Sequence, residues 1–312
     1  MKQAQIGRIV GRLAALAMIA GVARQGWGSD VAGAPLQAVV GTAVRRGETP
    51  PLRTLNQSQP VPLTSAGATL VEIPRRSIPH TTTSLRALSV ADPVVQSSHP
   101  KLSMPSPLTS FDGLYNVDGV APPDSNGDVG PNHYVEMVNM HFCVYDKVTG
   151  TNLITPMKLS QLFAAGGFGA PAGTIDNGDP IVLYDHLADR WFISQFIVNV
   201  NPCHEVIAIS KTGDPTGAWW LYDFTMPNTK MNDYPHFGVW PDGYYMTDNQ
   251  FSGNNWAGAG VFVFNRVKML AGDPTADYQY FDLYGVDQNY GGMLPADLDG
   301  PAPPAGTPNY FA

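Results

Sequence analysis

Charged side chains, basic residues above all, and long apolar runs are scarce in this sequence of 312 residues. Lys and Arg number 18 against 26 Asp and Glu, which gives a formal net charge of −8, and charged residues make up only 14% of the chain. Glycine (32) and proline (28) are abundant instead. This composition favours turns and short strands over helices.

Cysteine is nearly absent, since only Cys143 and Cys203 occur. Two cysteines are compatible with an oxidising compartment. A disulfide requires that their Cα atoms lie within about 7 Å of each other. The sequence leaves two alternatives open, which are a disulfide between Cys143 and Cys203 or two separate buried thiols.

Several signatures of catalytic chemistry are missing. The sequence contains no GxSxG nucleophile elbow, no HExxH zinc motif and no glycine-rich loop that could cradle a phosphate. These motifs therefore indicate no enzyme class for this chain.

The N-terminus carries the pattern of a secretory signal peptide over residues 1–23. Lys2, Arg8 and Arg12 precede the apolar run 13–22, and the small residue Ala23 follows it. A membrane-spanning helix needs about 20 apolar residues, and this run is shorter. We therefore expect export to the extracellular space or the cell envelope, with no transmembrane helix after cleavage.

Residues 24–107 are rich in Pro, Ser and Thr and lack a periodic apolar pattern, which predicts a flexible leader. Residues 1–107 contain 11 Lys and Arg against 4 Asp and Glu (net +7), and residues 108–312 contain 7 against 22 (net −15). This asymmetry predicts a boundary near residue 107. The acidic second part argues against a nucleic-acid partner, because Lys and Arg contacts to phosphates dominate that affinity.

Residues 108–312 contain short β-branched and aromatic runs separated by Gly, Pro, Asn and Asp, a pattern typical of strands. Nine strands are predicted, at residues 133–139, 141–146, 180–185, 190–198, 205–210, 219–224, 236–240, 244–247 and 260–265. Pro241-Asp242-Gly243 predicts a tight turn between two of them. Helical periodicity occurs only at 160–165 and 265–272. The sequence therefore predicts an all-β domain.

Three similar units follow one another in this domain. Asp128, Asp179 and Asp233 are spaced by 51 and 54 residues, and each has a proline within three positions. A period near 50 residues with about four strands per unit is typical of a β-propeller blade, and an irregular β-sandwich is the alternative. Residues 306–312 (GTPNYFA) resemble residues 130–136 (GPNHYVE). We therefore expect three units, the start of a fourth, and truncation of the repeat at the C-terminus.

Four segments carry a resemblance to a known group of proteins: FDGLYNVDGVAPPDSNGDVGPNHYVEMVN, GDPIVLYDHLADRWFISQF, KTGDPTGAWWLYDF and DYPHFGVWPDGYYMTDNQF. From about residue 111 to the C-terminus the chain resembles a widespread group of secreted bacterial proteins to which no activity is assigned. The resemblance implies a longer parent protein. It implies no catalytic residues.

The DSNGD segment at residues 124–128 places Asp124, Asn126 and Asp128 at alternate positions, so that three oxygen-bearing side chains are candidate ligands of Ca²⁺. The segment departs from an EF-hand loop, because Val129 and Val135 stand where a glycine and a bidentate glutamate are needed. A turn held by hydrogen bonds between side chains and backbone is the alternative.

Asp128, Asp179 and Asp233 are the candidate catalytic residues. If each begins the innermost strand of its unit, the three carboxylates gather at one central mouth, and hydrolysis of a glycosidic bond needs a carboxylate pair at a set separation. The alternative is that each aspartate caps its own unit. The candidate ligand-binding residues are Trp191, His236, Trp240, Tyr244, Asp248 and Asn249.

Two hypotheses for function follow from these patterns. The leading one is a non-enzymatic, secreted or cell-surface module that binds a glycan or a protein. The alternative is a glycoside hydrolase or lyase that uses the three aspartates. Ca²⁺ is the one cofactor that the sequence suggests, and the patterns do not indicate an oligomeric state.

Overall fold

The computed structural model describes residues 36–55, 70–73, 76–78 and 105–312. The predicted signal peptide and most of the predicted leader lie outside the described residues. Within these residues, two short helices, α1 (Leu159–Ala165) and α2 (Arg266–Leu270), and a 3₁₀ turn at Leu52–Thr54 accompany the strands. The strands of the described part are β1 (Val39–Thr42), β2 (Arg45–Glu48), β3 (Val71–Glu72), β4 (Val120–Ala121), β5 (Asn126–Val129), β6 (His133–Val138), β7 (His141–Asp146), β8 (Met157–Lys158), β9 (Ile181–Asp185), β10 (Arg190–Ile197), β11 (His204–Ser210), β12 (Trp219–Thr225), β13 (Met231–Trp240), β14 (Gly243–Ser252), β15 (Asn255–Phe264) and β16 (Asp277–Asp282).

The predicted all-β class is confirmed, and each of the nine predicted strands and two helical segments overlaps an observed element. The predicted hairpin is present, since β13 and β14 pair around the turn with Trp240 opposite Gly243. Among the described residues, no helix is long and apolar enough to span a membrane.

In the described part of the chain, three antiparallel sheets each contain four strands in chain order. The first sheet is β5–β8, the second is β9–β12 and the third is β13–β16. The strands that begin the sheets are neighbours, because β5 contacts β9 and β9 contacts β13. A separate pair, β3 and β4, is parallel. Each main sheet is therefore an antiparallel meander that begins next to the start of another.

The second sheet buries both of its faces. In β10, Trp191 and Ile193 belong to the core that is shared with the first sheet, whereas Phe192 belongs to the core that is shared with the third. In β12, Leu221 and Tyr222 divide in the same way. Complete burial of such side chains contributes roughly 1.5–3 kcal/mol each. Burial on both faces explains why these strands are continuous apolar runs in the sequence.

Part of the predicted leader belongs to the sheets, contrary to the expectation of a flexible segment. β1 pairs with β16 at the edge of the third sheet, and β2 pairs with β12 at the edge of the second. Leu52 is fully buried, and the Thr49 hydroxyl accepts a hydrogen bond from the Trp219 N–H (3.0 Å). The strands VVGT and RRGE were missed because neither alternates apolar and polar residues. The leader prediction therefore does not hold for residues 36–55.

A buried ion pair connects the second sheet to the third. Asp185, the last residue of β9, is fully buried, and Arg266 donates to its carboxylate through Nε (2.6 Å) and Nη2 (2.8 Å). The Tyr244 hydroxyl donates a third hydrogen bond at 2.8 Å. A buried carboxylate is tolerated only when it is paired and hydrogen-bonded, so these contacts fix the end of β9 against β14 and α2.

Candidate functional site

Most of the predicted ligand-binding side chains lie in the core. Trp191 and Tyr244 are fully buried, and Trp240 is only 8% exposed. Asp248 and Asn249 are 2% and 4% exposed. The indole N–H of Trp240 donates to the Thr307 carbonyl (2.9 Å) instead of facing solvent. Burial removes these five residues from the candidate binding surface, and the three aromatic side chains pack in the interior of the fold.

The DSNGD segment does not close around a metal position. The Asn126 side-chain oxygen accepts a hydrogen bond from the Val182 N–H (2.6 Å), and the Asp128 carboxylate accepts one from the Tyr184 N–H (2.6 Å). Both side chains thus join β5 to the backbone of β9. In the part of the chain that the structure covers, no group of three or more His, Cys, Asp or Glu side chains is arranged to hold a metal ion. The predicted calcium loop is not assembled.

Asp124, Asp179 and Asp233 come together near the starts of β5, β9 and β13, and we call them the aspartate cluster. Asp124 and Asp179 are hydrogen-bonded through their carboxyl groups, and the charge of Asp233 acts on both. Two of the three predicted catalytic aspartates are therefore neighbours. The third, Asp128, is replaced by Asp124, because Asp128 lies inside β5 and its carboxylate binds the backbone of β9 instead.

Left-handed backbone conformations shape the aspartate cluster. Asp124 (φ 42°), Asp179 (φ 46°) and Tyr234 (φ 55°) all have positive φ. Aspartate tolerates this region comparatively well, whereas a bulky tyrosine is strained there. The pairing of β13 with β14 shifts register between Asp233 and His236, on either side of Tyr234. Bulges and strained residues of this kind often redirect side chains at functional sites.

The aspartate cluster retains a proton close to neutral pH. Burial, together with the negative charges of Asp124 and Asp233, raises the pKa of Asp179 to about 7. A hydrogen bond from the Tyr234 N–H (3.1 Å) opposes this effect. Burial also raises the pKa of Asp124 and of Asp233. A carboxyl pair that shares a proton holds it between the two groups, and its other oxygens are free to accept hydrogen bonds.

Three further side chains border the aspartate cluster. The Tyr234 side chain is 48% exposed, and its ring centroid lies 4.2 Å from that of His236. His236, a predicted ligand-binding residue, is half-buried, and burial lowers its pKa, which favours the neutral imidazole. Arg76 Nη1 lies 3.9 Å from an oxygen of Asp233. The carboxyl groups of the aspartate cluster, the exposed ring of Tyr234 and the guanidinium group of Arg76 therefore lie together at the protein surface.

No protein-family model, curated protein or solved structure matches this chain. The resemblance to secreted bacterial proteins stays a prediction. The side chains of the aspartate cluster and its border are thus the basis for assigning a function.

A second acidic region lies near the other ends of β5 and β9. It is an open cleft of about 310 Å³, and its charged and aromatic lining is Asp128, Lys147, Tyr184, His186 and Asp299. The Asp128 carboxylate accepts the backbone N–H groups of Tyr184 and Val129 (both 2.6 Å). Lys147 Nζ donates to the Gly130 carbonyl (2.9 Å). Because these groups are bonded within the protein, the cleft is a weaker candidate than the aspartate cluster.

Cys143 and Cys203 are free thiols, which decides between the two alternatives left open by the sequence. Cys143 lies in the core between the first and second sheets, and Cys203 lies in the core between the second and third. A disulfide cannot cross the second sheet. Burial raises the pKa of Cys143 to about 11, so its thiol is inert at neutral pH.

Tyr234 and Arg76 are site residues that sequence reasoning missed. A signal for Tyr234 was present, because the preceding unit places Pro180 directly after Asp179, whereas a tyrosine is inserted between Asp233 and Pro235. Such an insertion next to a repeated position is typical of a bulge. Arg76 carries no local signal, since its contact with Asp233 joins residues far apart in the chain.

Proposed function

We propose that this protein is an exported binding module that recognises a glycan at the aspartate cluster. The observation that carries this proposal is the hydrogen-bonded pair of Asp124 and Asp179 beside the exposed ring of Tyr234. Sugar hydroxyls donate hydrogen bonds, and the oxygens of the carboxyl pair that do not hold the shared proton can accept them. An exposed phenol ring offers an apolar surface to the C–H face of a sugar.

The proton on Asp179 favours a glycan over a basic protein as the ligand. A cationic partner is best bound by ionised carboxylates, and burial of Asp179 works against ionisation near neutral pH. Arg76 already lies next to Asp233, which reduces the negative charge open to a second cation. A neutral polyhydroxylated ligand requires no change in this charge state.

A β-propeller-like arrangement of the sheets is part of the proposal. Three four-stranded meanders whose first strands are neighbours are what blades around one axis require. Residues 294–312 support a fourth unit, because Leu294 and Ala312 exchange two backbone hydrogen bonds (2.9 and 3.0 Å). The Asp297 carboxylate also accepts the Val239 N–H (2.7 Å), which places this segment against β13. The pattern of residues 1–23 supports export.

Glycan-array binding of the full chain tests the proposal, with Tyr234→Asn as the decisive variant. Asparagine removes the ring but tolerates the positive φ at this position, so the backbone of the site is retained. We expect the affinity for the array ligand to fall at least about 10-fold, which corresponds to about 1.4 kcal/mol. Tyr310→Asn, at another exposed tyrosine (59%), is the matched control and should bind normally. Equal binding by Tyr234→Asn and the parent chain would contradict the proposal.

The second candidate function is glycoside hydrolysis at the same cluster. It is favoured by the pKa of Asp179, which is about 7, and by the nearby carboxylate of Asp233. Glycosidases pair a carboxylic acid of raised pKa, the general acid, with a second carboxylate. Direct bonding of Asp124 to Asp179 is closer than the ~5–9.5 Å that separates a glycosidase pair, so Asp233 would have to be the partner. Release of reducing sugar from the bound glycan, abolished in Asp179→Asn, would establish this function; binding without turnover excludes it.

A further inference from the structure

A series of hydrogen bonds connects the starts of the three main sheets. Asp124 precedes β5 of the first sheet, Asp179 precedes β9 of the second, and Tyr234 lies in β13 of the third. The carboxyl groups of Asp124 and Asp179 are hydrogen-bonded to each other. Asp179 Oδ2 also accepts the Tyr234 N–H at 3.1 Å. We call this series the carboxyl clasp.

The first link of the carboxyl clasp requires a proton, whereas the second link does not. Ionised carboxylates only accept hydrogen bonds, so Asp124 and Asp179 bond to each other only while one of them is protonated. The Tyr234 N–H, in contrast, donates to either form of Asp179. Loss of the proton therefore leaves two negative charges side by side between the first and second sheets, and the bond to the third sheet remains.

The neighbouring links between β5 and β9 do not depend on a shared proton. Asn126 and Asp128 each accept a backbone N–H of β9 at 2.6 Å. Asp124 lies outside β5, and Pro122 and Pro123 before it are exposed. Repulsion between the two carboxylates therefore acts on the short segment before β5, while β5 itself stays attached to β9.

The side chains around Asp179 determine when the proton is held. The titratable and charged groups that surround it are Asp124 before β5, Glu205 of β11, Asp233, Tyr234 and His236 of β13, and Arg76. Burial and the charges of Asp124 and Asp233 raise the pKa of Asp179 to about 7. Burial raises the pKa of Glu205 and lowers that of His236, which favours the neutral form of both. The proton is therefore held below about pH 7 and released above it.

We propose that the carboxyl clasp is a proton-dependent switch, which is closed in mildly acidic solution and lets the segment before β5 move away from β9 in alkaline solution. The closed clasp holds Asp124 beside Asp179 and the exposed ring of Tyr234. This is the arrangement on which the proposed glycan site depends, so the regulation of binding rests on the proposed function. We expect the affinity for a glycan to fall when the clasp opens, because the acceptor oxygens of Asp124 move away from the ring.

Hydrogen–deuterium exchange of the full chain at pH 5.5 and pH 8.5 tests the switch without a ligand. Each exchange rate is divided by the rate of an unstructured chain at the same pH, which removes the intrinsic effect of pH. We expect the protection of the amides of residues 124–127 to fall at least about 10-fold at the higher pH, because local opening sets their exchange. Equal protection at both pH values would overturn the proposal.

Asp124→Asn is the decisive variant, because asparagine tolerates the positive φ at this position and its amide donates to an ionised Asp179. We expect residues 124–127 of this variant to be equally protected at both pH values. Asp124→Gly also tolerates the positive φ but removes the link, so these residues should be weakly protected at both.

Asp128→Asn is the matched control, because it changes a neighbouring link between β5 and β9 that needs no shared proton. It should keep the pH response of the parent chain. A pH response that persists in Asp124→Asn, or one that disappears in Asp128→Asn, would overturn the proposal.

Glycan binding by the same proteins separates the switch from the proposed function. For a glycan identified on the array, we expect the affinity of the parent chain to fall at least about 10-fold between pH 5.5 and pH 8.5. The ratio of the two affinities should be close to one in Asp124→Asn. Absence of glycan binding at both pH values would contradict the proposed function alone, since the exchange experiment still decides the switch. Binding by the parent chain that does not change with pH would overturn the regulation.

Discussion

Asp248 is a residue for which the exposure predicted from the sequence differs from the burial found in the structure. In the sequence it belongs to a polar patch that looks exposed, but in the structure it is 2% exposed. Its carboxyl group accepts the Gly260 N–H (2.9 Å) and lies 3.4 Å from the amide nitrogen of Gln250. Burial raises its pKa to about 7. Asp248 is therefore a buried acid whose protonation is linked to the stability of the fold.

We predict that the protein loses stability as pH rises from 5 to 8. The native state holds a proton on Asp248 up to about pH 7, whereas an unfolded chain releases it near pH 4, so stability falls as pH rises between these values. Asp179 contributes in the same direction, and the lowered pKa of His236 acts oppositely in the lower part of this range.

Urea unfolding of the parent chain and of Asp248→Asn at several pH values measures this effect. Asparagine mimics the neutral acid, so the variant should show a flatter profile and should gain stability relative to the parent as pH rises, by a few kcal/mol at pH 8. Identical slopes for the two proteins would show that Asp248 does not titrate in this range.

β5 illustrates a limit at the scale of the element. The hairpin of β13 and β14 was predicted because both strands are aromatic and flank a Pro-Asp turn, and local pattern is sufficient for such a unit. β5 was missed because its sequence, NGDV, consists mostly of residues that favour turns. It is a strand because its backbone pairs with β6, and its Asn126 and Asp128 side chains bind the backbone of β9. β9 lies in another sheet, so this contact could not be predicted from the sequence of β5.

We predict that Asp128→Ala lowers the free energy of unfolding by about 1–2 kcal/mol, because the Tyr184 N–H loses its acceptor. Asp128→Asn retains a side-chain oxygen and should lose less. Ser125→Ala, at an exposed position next to Asn126, is the control and should stay within about 0.5 kcal/mol of the parent. Urea denaturation measures all three; an unchanged midpoint for Asp128→Ala would mean that this hydrogen bond between the sheets is not needed.

At the scale of the whole molecule, the order of the sheets determines which segments are needed to stabilise the fold and to cover the sheet edges. The second sheet is buried on both faces and links the two cores. β1 and β2 cover the outer edges of the third and second sheets although they come from a segment with no strand pattern. An uncovered sheet edge presents unpaired N–H and C=O groups to other chains. These N-terminal strands therefore protect two edges at once.

We predict that removal of β1 and β2 destabilises the domain and promotes association. A chain that begins at residue 36 retains both strands and serves as the reference. A chain that begins at residue 56 also loses Leu52, whose burial contributes roughly 1.5–3 kcal/mol. It should unfold at lower temperature and elute as oligomers in size-exclusion chromatography, because β12 and β16 become open edges. A monomer with the Tm of the reference would show that the N-terminal strands are dispensable.

Sequence alone determined the features that depend on neighbours within the chain: the all-β class, nine strands, the turn before Gly243 and the repeated aspartates. Tertiary structure decided which oxygens meet. Asp124 joins Asp179 and Asp233, whereas the Asp128 carboxylate binds the backbone of β9. Trp191 is buried because a second layer covers its face of β10. The alternation of residue types along a strand predicts that the strand has two faces, but it does not predict what packs on each face. Contacts between sheets, such as those of Glu205 with Asn232, are therefore set by topology and could not be predicted from the sequence.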